Sequence, residues 1–224
     1  MIKGVIFDMD GTMFDTEPIS ARCWIEAGEK LGIPITKSMV YTFCGKTMPA
    51  IKGILEKAVE VEFDYEEVVR TRQKIYDNII KTEGVPHKEG LVELLQYLKD
   101  EQIPAAVSTS TNQETAEMVI KKAGVYEYFT AFVYGDMVEK SKPAPDIFWE
   151  AARRIGKDPK ECLVVEDSPA GIMAGKAAGG YTILIPDVAD VTEEAKEGIT
   201  AQMNNLSEIV QWMKRRQEDE KIKD

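Results

Sequence analysis

Two aspartates, Asp8 and Asp10, stand two residues apart directly after the short apolar run Gly4-Val5-Ile6-Phe7. At the end of a buried segment such carboxylates repel one another and lose hydration, a cost that a cation joining them removes. Glu166 and Asp167 follow a second apolar run, Cys162-Leu163-Val164-Val165. Three or four carboxylates converging on one place form a hard oxygen site, suited to magnesium that keeps several waters and takes a phosphate oxygen. Two groups of opposite polarity complete the set: Ser108, after Ile103-Pro104-Ala105-Ala106-Val107, and Lys142, in Ser141-Lys142-Pro143. A hydroxyl and an ammonium suit the remaining oxygens of a phosphoryl group, whose transfer is mainly positioning and charge neutralisation.

Each of these signals has an ordinary structural reading. Turns collect aspartates for local backbone hydrogen bonds. Glu166-Asp167 can cap a helix beginning at Ser168-Pro169, Ser108-Thr109-Ser110-Thr111 can be a capping cluster, and a lone lysine is usually solvated. The weight lies in their combination, since each group follows an apolar run or precedes the helix after one.

The elements that must position these residues are short apolar runs separated by helical patterns. Ala131-Phe132-Val133-Tyr134 and Thr182-Ile183-Leu184-Ile185 extend the series, and none shows polar alternation, as strands buried on both faces require. Leu91/Leu94/Leu95/Leu98, Ala116/Val119/Ile120/Ala123 and Ile147/Ala151/Ala152/Ile155 recur at helical spacing. The alternation predicts an α/β fold with a doubly wound parallel sheet, in which ligands bind beyond the carboxyl ends of the strands. From about Thr16 to Gly84 only helical patterns appear, so residues 15–86 are expected to form an inserted all-helical cap on a core made of 1–14 and 87–224. Hinges are expected near Phe14-Thr16 and Gly84-His87.

A formal net charge of −11 over 224 residues argues against nucleic acid or an anionic membrane as partner. Cys23, Cys44 and Cys162 lack CxxC spacing and read as reduced structural thiols. With no signal-peptide pattern and no apolar stretch near ~18 residues, the expectation is a cytoplasmic protein, with a monomer favoured. The glycines between Asp167 and Gly180 contain no GxGxxG, so they point to close helix–sheet packing and not to a dinucleotide site. His87 reads as a solvated loop residue, and Trp24, Phe43 and Met48 as core of the cap.

The set Asp8-Met9-Asp10-Gly11-Thr12, Ser108, Lys142-Pro143 and Glu166-Asp167, in that order, resembles the haloacid dehalogenase superfamily in its helical-cap phosphatase and phosphomutase branch. Ser141-Lys142-Pro143-Ala144-Pro145-Asp146 and Glu166-Asp167-Ser168-Pro169-Ala170-Gly171-Ile172 bring it near the subgroup of beta-phosphoglucomutase and sugar-phosphate phosphatases. The resemblance implies Asp8 as nucleophile forming an aspartyl-phosphate and Asp10 as acid and base. It implies magnesium held by Asp8, the Asp10 carbonyl and Asp167, with Glu166 direct or through water. Phosphate would be bound by Ser108 and Lys142, assisted by Thr109. Glu17 and Lys46 are expected to touch the substrate from the cap. The implied activity is hydrolysis of a small phosphorylated metabolite, a sugar or polyol phosphate.

Three other readings stand beside it. Dehalogenases of the family lack the second aspartate, so Asp10 argues against that chemistry. A phosphomutase uses the same core, but Ser20 stands where the mutase carries a gating histidine, and Cys44-Gly45-Lys46-Thr47-Met48-Pro49-Ala50 offers Lys46 and no arginine. A non-catalytic metabolite-binding module is disfavoured because Asp8 and Asp10 are both present.

Overall fold

Among the described residues six short strands carry the fold: β1 (Gly4–Phe7), β2 (Ala105–Ser108), β3 (Ala131–Val133), β4 (Cys162–Glu166), β5 (Tyr181–Leu184) and β6 (Ala201–Gln202). They form one all-parallel sheet in the order β3-β2-β1-β4-β5-β6. The structure is a computed structural model and describes residues 2–43 and 48–221. In the register Phe7 lies opposite both Val107 and Val165. The ends of β1, β2 and β4 therefore come out at one edge, where the residues that succeed them are gathered.

Side chains alternate across the sheet as strand geometry demands. Val5, Phe7, Val107, Leu163 and Val165 enter one apolar cluster, while Ile6, Ala106, Val133 and Val164 enter the other. The first cluster is covered by α5 (Leu91–Asp100), α6 (Gln113–Lys122) and α10 (Ser207–Lys221), the second by α7 (Asp146–Arg154) and α8 (Pro169–Ala178). Both faces being buried explains the unbroken apolar runs. The two-residue edge strand β6 and the four-residue helix α9 (Glu193–Lys196) are too short to impose a period on the sequence.

Between β1 and α5 the described chain is helical: α1 (Glu17–Leu31), α2 (Lys37–Tyr41), α3 (Met48–Ala58) and α4 (Tyr65–Glu83). Pro18 at the start of α1 sets a helical φ where no donor is needed, and Gly32 ends that helix at φ 69°. Asp64 starts α4, its side chain accepting from Glu66 N at 2.9 Å. Helices α1 and α4 pack together through Cys23, Trp24 and Ala27 against Ile75, Tyr76 and Ile79, all buried. Trp24 and Phe43 meet edge to face with centroids 5.4 Å apart.

The two connections between this helical layer and the sheet run side by side. Phe14 and His87 form an antiparallel bridge. Asp15 N donates to the Pro86 carbonyl at 3.0 Å and Lys88 N to the Met13 carbonyl at 2.9 Å. His87 is exposed and bonded through Nε2 to the Ala123 carbonyl at 3.0 Å. Among the described residues no helix is long and apolar enough to cross a membrane.

Candidate active site

The β1 ladder extends one residue past the strand, Asp8 N donating to the Val165 carbonyl at 2.9 Å, which plants Asp8 at the sheet edge beside the end of β4. The chain then turns back sharply: Met13 N and Phe14 N both donate to the Met9 carbonyl, at 3.0 and 3.2 Å. Gly11 makes the turn at φ 80°, and a Cβ there would stand 2.5 Å from Asp167 Oδ2. Only glycine both adopts that φ readily and leaves the carboxylate its space.

Lys142 joins the strand ends. Its Nζ lies 2.5 Å from Asp8 Oδ1, 2.6 Å from Glu166 Oε1 and 3.3 Å from the Ser108 carbonyl. Its side chain is 6% exposed and that of Glu166 fully buried. Glu166 Oε2 accepts from Asp167 N, Ser168 N and Ser168 Oγ at 3.0, 3.0 and 2.9 Å, so both carboxylate oxygens are engaged. Gly171, one turn into α8, makes room for this carboxylate, because a Cβ there would fall 1.7 Å from Glu166 Oε1. The glycine pattern in this stretch thus serves close packing. The N-cap of α8 is Ser168, whose Oγ accepts from Gly171 N at 3.1 Å.

Carboxylate oxygens of Asp8, Glu166 and Asp167 lie within 4.8 Å of one another. Burial pushes the Asp8 carboxyl up to about 8, with Glu166 adding to the rise and Lys142 opposing it. Asp167 is also held well above the usual carboxylate range by burial, then by Glu166 and Asp8, despite the 2.9 Å hydrogen bond from Thr12 Oγ1. Burial works against the Lys142 charge, but Asp8 and Glu166 outweigh it and keep the ammonium protonated. Crowded, buried, oxygen-only and short of positive charge, the donor set fits a hard divalent cation.

Asp10 faces elsewhere. Its Oδ2 accepts from Thr111 Oγ1 at 2.8 Å, and the carboxyl lines a cavity of about 430 Å³ between the sheet edge and the helical layer. Burial raises its pKa, and hydrogen bonds from Thr111 and Thr16 oppose the rise. The two aspartates therefore have separate surroundings, with the Asp10 carboxylate outside the acidic cluster.

Ser108 and Thr109 are buried at the end of β2. The Ser108 hydroxyl donates to the Ile147 carbonyl at 3.4 Å, and Thr109 Oγ1 accepts from Thr111 N at 3.0 Å. Thr109 thus shapes the loop that presents Thr111 to Asp10. The cap of α6 is Asn112, which accepts from Thr115 N at 3.1 Å, so the serines and threonines before it are not its caps. Glu17 lines the cavity, and Met48, read as core, is 39% exposed and lines it too. Lys46 lies outside the described residues.

The cavity wall also carries an arginine from α4. Arg72 of α4 donates to Ser20 Oγ at 2.9 Å, and its guanidinium carbon lies 5.5 and 5.6 Å from the ring centroids of Trp24 and Tyr76. Its Nε is buried and has no hydrogen-bond partner among the described residues. An arginine on a helix rich in charge carries no local signal, and only the packing of α4 on α1 brings it over Asp10.

The haloacid dehalogenase-like hydrolase family model matches residues 2–179. The chain is 31% identical over 192 residues to hexitol phosphatase A of Escherichia coli, covering 84% of this chain and 85% of the relative. It is 31% identical over 184 residues to a phosphorylated carbohydrates phosphatase of Thermotoga maritima, covering 80% and 82%. Among solved structures, a beta-phosphoglucomutase candidate from Thermotoga maritima superposes with a TM-score of 0.82 at 28% identity, over 96% of this chain and 99% of that one.

Proposed function

The chain belongs to the haloacid dehalogenase-like hydrolase family, and on that premise we propose that it is a magnesium-dependent phosphatase of sugar or polyol phosphates working through an aspartyl-phosphate on Asp8. Its kinship with curated phosphatases makes it a phosphoric monoester hydrolase.

The observation that carries it is the division of labour between the two aspartates. Asp8 lies against Lys142 in the acidic cluster, while Asp10 turns to the cavity and is held by Thr111. Asp8 attacks phosphorus and the ester oxygen departs. Asp10 gives that oxygen its proton, then takes one from the water that attacks the phosphorus of the aspartyl-phosphate and frees Asp8 and inorganic phosphate. A carboxyl whose pKa burial raises suits this role, because it is more readily present as the acid when the leaving group needs a proton. Lys142 balances charge on the phosphoryl oxygens and fixes the Asp8 carboxylate. Asp8, Asp167 and the Asp10 carbonyl would hold magnesium, with Glu166 behind them orienting Lys142. Bound there, the ion would offset carboxylate repulsion and polarise a phosphoryl oxygen.

The helical segment 15–86 acts as a cap that selects the substrate, with Glu17, Lys46, Met48 and Arg72 as its contributions. Ser20, Gln73, Asn112 and Thr115 make the cavity wall polar, as a hydroxyl-rich substrate requires. The named relatives are a hexitol phosphatase and a phosphorylated carbohydrates phosphatase, which supports the same class. A phosphomutase is the second reading, favoured by one observation: Arg72 places a guanidinium in the cavity. Phosphate release from sugar phosphates, polyol phosphates and nucleotides, with magnesium and with chelator, tests the proposal. Release fastest from sugar or polyol phosphates and abolished by chelator is expected, and release undiminished in chelator overturns the metal's part.

A further inference from the structure

A fourth carboxylate stands just behind the acidic cluster. After β5 the chain continues as Ile185-Pro186-Asp187, pinned to β4 by Ile185 N donating to the Glu166 carbonyl at 2.8 Å. The Asp187 side chain is 8% exposed. Its Oδ1 accepts from Lys88 Nζ at 2.5 Å, whereas Oδ2 is buried and has no hydrogen-bond partner among the described residues. A buried, unpartnered carboxylate oxygen costs free energy unless something not yet counted donates to it.

The direction of that oxygen is known from Gly11. A Cβ built there would lie 2.5 Å from Asp167 Oδ2 and 3.0 Å from Asp187 Oδ2, so the two oxygens flank one point. Asp187 raises the pKa of Asp167, which places its charge in the same field. It is nevertheless outside the inner group of Asp8, Glu166 and Asp167. Among the described residues nothing donates to Oδ2, the Lys88 ammonium being bonded to Oδ1, and the donors that suit it are water molecules carried by a cation on Asp8 and Asp167. Magnesium retains such waters readily.

We infer that Asp187 is an outer carboxylate of the metal site: its free Oδ2 takes hydrogen bonds from metal-bound water, and Lys88 orients it through Oδ1. This rests on the proposal that Asp8 and Asp167 hold magnesium. Lys88 is itself placed by the paired connections to the helical layer, through its N–H on the Met13 carbonyl and its ammonium 3.9 Å from Asp15 Oδ1. Asp187 is thus a positioning residue, acting on the ion through water.

Calorimetric titration of the metal-free protein with magnesium chloride tests this on wild type, Asp187→Asn, Asp167→Asn and the double variant Lys88→Met/Asp187→Asn. The double variant leaves no lysine stranded beside a neutralised partner and keeps the net charge of the wild type, so it isolates the oriented oxygen from long-range charge. Magnesium affinity is expected to fall ~10–100-fold in both Asp187 variants, the range typical of lost outer-shell partners. It should vanish in Asp167→Asn. Wild-type affinity in the double variant overturns the inference, whether or not Asp187→Asn alone binds weakly, since only net charge would then be at work. Should wild type and Asp167→Asn both fail to bind magnesium, the metal reading of the whole site falls, and this inference with it.

Discussion

Arg72 of α4 donates to the hydroxyl of Ser20 on α1 at 2.9 Å, above the carboxyl of Asp10. The bond closes the cavity wall between two helices and holds the guanidinium against Trp24 and Tyr76, leaving Nε without a partner. An arginine so held has lost most of its rotamer freedom before a ligand arrives, so a hydrogen bond from it to substrate costs little ordering. Arg72→Ala is expected to lower kcat/KM on the preferred substrate by about 1.5–3 kcal/mol, or ~10–100-fold, mainly through KM. Ser20→Ala should cost less, and Arg72→Lys should recover only part. Unchanged kcat/KM for Arg72→Ala across a substrate panel would remove Arg72 from the binding wall.

Lys142 answers for two carboxylates at once. Replacing it with methionine leaves Asp8 and Glu166 buried with no cation between them, a loss on the order of 3–5 kcal/mol for a broken buried pair. Chemical denaturation of metal-free Lys142→Met is expected to show that loss, and magnesium should return part of it. Turnover should fall ~100-fold or more, because the phosphoryl oxygens lose their fixed countercharge. A metal-free variant as stable as wild type contradicts the pairing.

The raised Asp8 carboxyl makes the metal-free protein pH-sensitive in a defined direction. Its folded value of about 8 lies above the ordinary 3.8, so folding favours the protonated form. Between those values the folded state keeps a proton that the unfolded chain has released, and stability falls as pH rises through the interval. Melting temperatures in chelator should therefore decline from pH 5 to pH 8. Magnesium should flatten the slope by stabilising the ionised carboxylates. Asp8→Asn should make it shallower without metal, Asp167 and Asp10 keeping a share of it, while reducing turnover on the order of 10⁴-fold or more. A metal-free protein equally stable at both pH values would rule out this electrostatic account of the cluster.

Much of this site is readable from the chain because its parts are local. Each apolar run is a strand buried on both faces, and the parallel register brings the residues after β1, β2 and β4 to one edge. Asp8, Glu166 and Asp167 are gathered by that rule, and Lys142 reaches them from the segment between β3 and α7. The residues that escaped depend on packing between elements. Arg72 and Asp187 belong to no short motif, and each acquires its surroundings from a neighbour distant in sequence, Ser20 for one and Lys88 for the other. Thr111 lay within a polar run whose members look alike until the loop is folded. Met48 has core-like chemistry, yet it sits at the start of α3 where the wall of the cavity passes.

Water, and not a second sugar hydroxyl, is expected to receive the phosphoryl group from Asp8. A mutase must keep water away while a bisphosphate intermediate reverses in the site, which demands closure on both phosphates at once. Ser20 has no imidazole to gate Asp10, and its hydroxyl is committed to Arg72. Asp10 is instead bonded to Thr111 of the core and to Thr16 at the start of α1, partners that hold the carboxyl without an imidazole. Arg72 offers one guanidinium for a distal group, already engaged with Ser20 and two rings. The decisive experiment supplies beta-glucose 1-phosphate with a trace of glucose 1,6-bisphosphate and follows glucose 6-phosphate and free phosphate over the same time course. Free phosphate should appear faster, and Arg72→Ala should raise KM without shifting that ratio. Glucose 6-phosphate outrunning phosphate would overturn the assignment, and its loss in Arg72→Ala would then identify Arg72 as the grip on the distal phosphate.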